Sequence, residues 1–347
     1  MTEYFTFRNK SDSISMQFHT RSLATLVLLA MAACIVFVIS LSSGSSYIPF
    51  SAVIQEIFSE SDHAFVLNEL RLPRVWMAVF VGAGLGVSGL ILQGMIRNPL
   101  GSPDIVGVTG GASVGTVLFI VFLLGEVSVH WLPLASIIGA AVVTVFIYLL
   151  SWKSGVTPMR LILVGIGISA LTNAIVTMFM VSSESAVASK VYLWLTGSLY
   201  GANWQEVWII SPVILLLILI SLFFTRVVDV KHLGDDVALG MGVRVQFFRI
   251  LLLALSVGLA GAAVSFAGGI AFVGLIAPHI ARLLLHRSFG LLVIGSALIG
   301  ALIVMVSDII ARTAFLPSDI PAGVFTAGIG APFFIYLLYR NREGMKE

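Results

Sequence analysis
Charge is what this sequence has least of. Of 347 residues, 19 are Lys or Arg and 17 are Asp or Glu, together 10%, where a soluble globular domain carries about 25%. Too few ionised groups exist to cover a water-facing surface. Cysteine is nearly absent as well. The single Cys34 cannot close an internal disulfide, and inside an apolar run it reads as a small lipid- or helix-facing residue. Catalytic signatures are missing too. No G-x-x-x-x-G-K-[ST] is present, so the chain has no P-loop of its own for ATP. No H-E-x-x-H or G-x-S-x-G supports hydrolysis, and no basic, aromatic-laced surface suggests nucleic acid. His279 lacks metal-ligating neighbours at useful spacing, and no cofactor is indicated.

What the chain does have is apolar length. Hydrophobic residues make up 59% of it, and runs of about 20 recur from end to end, as membrane-spanning helices require. The expected architecture is an all-α, polytopic membrane protein with about ten spans. They are placed near Leu23–Leu41, Val75–Met95, Ile105–Leu124, Leu132–Leu150, Leu161–Val181, Val207–Phe224, Phe247–Phe266, Ile270–Leu285, Phe289–Ala311 and Ile320–Leu338. A polar N-terminal tail over residues 1–20 precedes a single membrane domain over 21–340, and residues 341–347 form a short C-terminal tail. "LSSGSS" after Leu41 weakly resembles a signal cleavage site, but the preceding run is long enough to span and is read as a retained first helix.

An even number of spans places both termini on one side. With the N-terminus inside, fifteen of the 19 Lys and Arg fall on inner segments. Only Arg71, Arg74, Lys190 and Arg312 fall outside. That bias predicts cytoplasmic termini and makes the outer arginines exceptions needing a reason. Three connections are long. The outer one after the first span contains "FSAVIQEIF" (Phe50–Phe58), whose Val53, Ile54, Ile57 and Phe58 suit a short surface helix. The outer segment around "YLWLTGSLYGANW" (Tyr192–Trp204) reads as interfacial or re-entrant. The inner one, "KHLGDDVALGMGVRVQFFR" (Lys231–Arg249), predicts a short helix over Asp236–Leu239, capped by Asp235 and stopped by Gly240 or Gly242. It is either a plain solvated connection or a rigid knob for a partner.

Three further features have two readings each. Gly82, Gly86 and Gly89, with Gly107, Gly111 and Gly115, mark close helix packing, a smooth wall for a bulky solute, or both together. Asp308, four residues before Arg312, is either a proton relay or one half of an ion pair on a helix face. Pro278 and His279 interrupt the short eighth span, as a path-lining break or gate, or as a kink with a packed histidine.

"LRLPRVWMAVFVGAGLGVSGLILQGMIRNPLGSPDIVGVTGGASVG" (Leu70–Gly115) strongly resembles the FecCD family, the permease subunits of bacterial ABC importers for iron–siderophore complexes, haem and cobalamin. "LGDDVALGMGV" (Leu233–Val243), "GGIAFVGLIAPHIARLL" (Gly268–Leu284) and "SDIIAR…IPAGVFTAGIGAPFFIYLL" (Ser307–Leu338) match further motifs in the same order. The resemblance implies a type II importer permease with ten helices in a bacterial plasma membrane, without catalysis of its own. It implies a second permease, identical or paralogous, two cytoplasmic ATPases and an extracytoplasmic solute-binding protein. A ferric siderophore is the implied cargo, with haem or cobalamin as alternatives and a proton-coupled secondary transporter as the rival class. By motif, Arg71, Arg74 and Arg312 would receive acidic residues of the binding protein. Interfacial anchoring, or an internal pair with Glu69 or Asp308, is the alternative. The coupling segment for the ATPases would be Gly234, Asp235, Asp236, Ala238, Leu239, Gly240 and Gly242.

Overall fold
The computed structural model describes residues 4–8, 15–44, 46–53, 64–153, 155–232, 234–286, 288–316 and 319–341. Strands β1 (Tyr4–Arg8) and β2 (Ser15–His19) form an antiparallel pair ahead of the first helix, with Tyr4 opposite His19. They add an antiparallel strand pair to a chain expected to be all-α, within the segment expected as a polar tail. The helices that follow are α1 (Thr20–Ser42), α2 (Leu72–Ile96), α3 (Val108–Phe122), α4 (Leu132–Leu150) and α5 (Pro158–Ser182). Next come α6 (Ser185–Thr196), α7 (Trp204–Phe223), α8 (Thr225–His232) and α9 (Asp235–Gly240). The last four are α10 (Val245–Ala267), α11 (Val273–Leu284), α12 (Phe289–Thr313) and α13 (Ala322–Asn341). A π-helical turn, Val66–Arg71, runs directly into α2.

Among the described residues, seven helical stretches are long and apolar enough to cross a membrane, and three shorter apolar helices lie at α3, α11 and α13. α2 sits at the centre. Its most apolar window is 83% buried, against 11% for α1 and 22% for α5. An apolar helix left open in a single chain must face lipid or another subunit. α2 packs on α12, α10 and α11, and glycine makes that approach close enough. A Cβ on Gly82 would lie 2.3 Å from the Gly300 carbonyl oxygen, and one on Gly89 only 1.7 Å from that of Gly274. The close-packing reading of these glycines therefore holds. Gly111 plays the same part between α3 and α4, facing Gly139. Across α2 and α10, Ser88 donates to the Ser256 carbonyl at 2.8 Å and Ser256 to that of Ser88 at 3.1 Å. Polar groups inside lipid need such partners.

Two expected boundaries change. The third span does not begin at Ile105: a 3-10 turn, Pro103–Val106, precedes it, and Gly107 in a left-handed conformation (φ 74°) starts α3. The eighth span is shorter than expected and begins at Val273. The aromatic segment between the fifth and sixth expected spans includes α6, whose end is held by protein: Ser198 donates its N–H to the Ala267 carbonyl at 2.8 Å. Of the expected surface helix at Phe50–Phe58, residues 50–53 are helical, and Ile54, Ile57 and Phe58 lie outside the described residues.

Candidate functional site
Arg71 and Arg74, three residues apart where the π-helical turn runs into α2, are brought together with Arg312 of α12. Arg71 ends the π-helical turn and is 5% exposed. Its guanidinium donates to the carbonyls of Leu41 (2.6 Å), Ser42 (3.0 Å) and Ser46 (2.5 Å). The first two carbonyls belong to the end of α1, which lacks basic residues in its last turn. A cation there satisfies otherwise unpaired carbonyls and complements the helix dipole. Gly44 leaves the room, since a Cβ on it would meet the Arg71 guanidinium at 2.8 Å.

Arg74 lies at the start of α2. Its Nε donates to Asp308 at 2.9 Å, and its two terminal nitrogens donate to Asp319 at 2.6 and 3.0 Å. Asp308, on α12, is 1% exposed, while Asp319, in the loop before α13, is 25% exposed. Arg312 donates to the Ser40 carbonyl at 2.5 Å and lies 3.5 Å from Asp308. The ion pair foreseen at i,i+4 is present, and a second, nearer arginine from α2 shares it. Of the two acids weighed as internal partners, Asp308 is the one paired, and Glu69 lines a cavity of about 520 Å³ with Arg71, Arg74, Arg312, Asp319 and Tyr200. Arg71, Arg74 and Arg312 face Asp308 and Asp319, and Glu69 brings the cluster as a whole to neutrality.

At the opposite end of α2, where Arg97 follows its last turn, α9 spans Asp235–Gly240. Asp235 does not cap it. Gly234, at φ 125°, is the N-cap residue, and no side chain accepts from the first turn. The Asp235 carboxylate instead takes Arg97 at 2.5 Å and Arg249 at 2.8 Å. Arg249 is 4% exposed and also donates to the Val156 carbonyl. The far end closes on Gly242: Val243 donates to the Ala238 carbonyl and Gly242 to that of Leu239, both at 2.9 Å. This is the helix stop that a glycine in the left-handed region permits. Ala238 is buried, while Val237, Leu239 and Met241 are 46%, 58% and 62% exposed. The short helix is thus pinned on one face and apolar on the other.

Pro278 does not break its segment; α11 runs continuously through it, and the proline is buried. A proline leaves the carbonyl four residues back without its helical donor. The Gln93 amide lies 3.5 Å from that carbonyl, on Gly274, and 3.4 Å from that of Leu275, and Arg282 in turn donates to Gln93. His279 packs edge-on against Phe333 of α13, with ring centroids 5.7 Å apart. The packed histidine is thus present, on a helix that continues through the proline. Sequence reasoning missed Gln93, Arg97 and Arg249, because their partners lie more than ten residues away on other elements.

Long apolar helices packed through glycine, with charge gathered at the two ends, define a multi-pass membrane protein of the transport class. The chain belongs to the FecCD transport family, whose profile matches residues 31–340. It is 47% identical over 324 residues to an achromobactin transport system permease protein of Dickeya dadantii, covering 93% of this chain and 91% of that one. It is 41% identical over 314 residues to an iron(3+)-hydroxamate import system permease protein of Bacillus subtilis, covering 88% and 94%. A solved structure, an inward-facing conformation of an ABC transporter assigned to the metal-chelate type, superposes with a TM-score of 0.80 at 32% identity. It covers 92% of this chain and 99% of that one.

Proposed function
We propose that this permease carries a ferric siderophore inward as part of an ATP-driven importer. Two permease subunits flank the path, two ATPases dock at the cytoplasmic face, and a solute-binding protein delivers the chelate outside. The relatives that transport achromobactin and iron–hydroxamate support that cargo. Ten crossings with cytoplasmic termini follow if the seven long helices and the three short ones all traverse. The observation that carries the reading is α9, a short helix locked to the membrane core through Asp235 while presenting Val237, Leu239 and Met241 outward. An apolar tip on a rigid base is what a partner can grip and push. Gentle affinity purification from native membranes, with the partners identified by mass spectrometry, tests this. The wild-type chain should bring down an ATPase and a binding protein. Leu239→Asp with Met241→Asp should lose the ATPase and keep the thermal stability of the permease. Retention of the ATPase by that variant would remove α9 from the docking role.

Docking of the binding protein at Arg71, Arg74 and Arg312 is proposed in a form that the burial of these groups constrains. Arg71 and Arg312 are committed to backbone carbonyls. Arg74 is held by Asp319 on the edge that faces the cavity. An acidic residue of the partner would take the place of Asp319 in a bidentate pair. Asp319→Asn should therefore strengthen binding of the loaded binding protein severalfold, read by surface plasmon resonance on the importer in nanodiscs. Unchanged affinity would place docking elsewhere on the outer face.

The proton-coupled alternative loses its main support, because Asp308 is buried between two arginines rather than in a chain of exchangeable groups. Pro278 and His279 would act as a gate only by moving together with α11.

A further inference from the structure
Asp104 lies just before the expected third span, where a carboxylate would meet cytoplasmic water. The fold takes it elsewhere. After α2 ends at Ile96 the chain turns back into the membrane before α3 begins. The depth follows from the neighbouring helices. Pro103 lies against Gly274, which packs on Gly89, seven residues before the end of α2, or about 10 Å at 1.5 Å per residue. Ser169 donates its hydroxyl to the Asp104 carbonyl at 3.4 Å, eleven residues into α5, or about 17 Å from its start. The apolar core of a bilayer is about 30 Å thick. Asp104 therefore sits near its middle.

Asp104 is nevertheless reached by solvent in the single chain, in a crowded recess where the hydroxyls of Thr109 and Ser102 donate to its carboxylate. It makes no ion pair with a described cation. Further polar groups continue outward on the same face of α5: Asn173 and Thr177 follow Ser169 at intervals of four, and both are exposed. A carboxylate and an amide at this depth cannot face lipid without a large cost. The surface that carries them must face water or a polar partner.

We propose that Asp104, with Ser169, Asn173 and Thr177, forms a polar wall of the translocation path, and that the Asp104 carboxylate selects chelates by charge, favouring those of neutral or positive net charge over anionic ones. The inference rests on the importer reading for the identity of the solute, but the water-facing wall stands without it. The mechanism is long-range: in a narrow passage with low-dielectric walls one fixed anion raises the local concentration of cations and lowers that of anions.

The test uses the assembled importer in membranes, with Cys34→Ser removing the single native thiol. Cysteine is placed at Asn173, and separately at Thr177 as a second site. The probes are two water-soluble methanethiosulfonates, one bearing trimethylammonium and one bearing sulfonate. Both positions should label, the cationic reagent reacting faster. The near-isosteric Asp104→Asn should lower the cation-to-anion rate ratio by about threefold or more. No labelling at either site in the assembled complex would overturn the path assignment, and labelling of the isolated permease alone would make this face a subunit contact instead. A ratio indifferent to Asp104→Asn would overturn the charge selection. If no ATPase accompanies the complex while the labelling pattern holds, the importer reading fails and the polar wall survives.

Discussion
Asp308→Ala should destabilise the folded permease by about 3–5 kcal/mol, the usual cost of leaving a buried charge without its partner. Asp308 is 1% exposed and stands between Arg74 at 2.8 Å and Arg312 at 3.5 Å. After the substitution Arg74 keeps Asp319, but Arg312, 7% exposed, keeps only Ser40. The uncompensated charge is thus on Arg312, and a second substitution locates it. Asp308→Leu together with Arg312→Met removes both charges and should recover most of the lost stability, since an apolar pair of similar volume is tolerated where a half-pair is not. Thermal unfolding of the detergent-purified protein, read as a double-mutant cycle, decides the matter. A double variant as unstable as Asp308→Ala would show that the pairing is not what Asp308 supplies. The same variants address coupling. A proton carrier at Asp308 would leave the double variant stable and able to bind the loaded binding protein but incapable of uptake, whereas a structural ion pair predicts uptake in proportion to the folded protein that binds it.

The second large effect is expected at Asp235. The pair with Arg97 is more than a third exposed on both sides and, as a surface pair, is worth at most about 1 kcal/mol. The pair with Arg249 differs, because Arg249 is 5% exposed at its side chain and is fixed to the Val156 carbonyl. A hydrogen bond to a charged group contributes about 1.5–3 kcal/mol, and every 1.4 kcal/mol is a factor of about ten. Asp235→Ala should therefore loosen the seating of α9 roughly ten- to hundredfold. In reconstituted importer, chelate uptake should fall by about tenfold or more, with the ATPase still bound through Leu239 and Met241 and still hydrolysing ATP. Asp236, exposed and outside these ion pairs, should show a much smaller effect. Full coupling in Asp235→Ala would mean that force passes through the backbone of α9 rather than through this ion pair. Loss of the ATPase itself would mean that Asp235 shapes the docking surface.

The class of the protein was legible in the chain. A deficit of charge, repeated apolar runs and spaced glycines impose membrane helices and close packing before any contact is known, because the bilayer penalises everything else. The glycine spacing even anticipated the faces of α2 and α3 that meet neighbours, and the i,i+4 relation of Asp308 and Arg312 anticipated their pair. Local rules reach that far because both partners ride on one helix.

Where the partners ride on different helices, only the tertiary structure decided. Arg71 reads as an outward-facing cation, yet its guanidinium closes the end of α1; the deciding factor is the set of unpaired carbonyls at Leu41 and Ser42, which lie some thirty residues back. Asp235 reads as a helix cap, yet Arg249 outcompetes the backbone, since a buried guanidinium needs a carboxylate more than a short helix needs a cap. Asp104 lies just before the expected third span, yet the chain folds back and brings its carbonyl against Ser169, eleven residues into α5, a reversal that hydropathy along one dimension does not register. The sequence by itself determined which groups must be hidden from lipid and which helices must touch. The fold determined which charge meets which, because pairing depends on distances between elements that sequence separation does not encode.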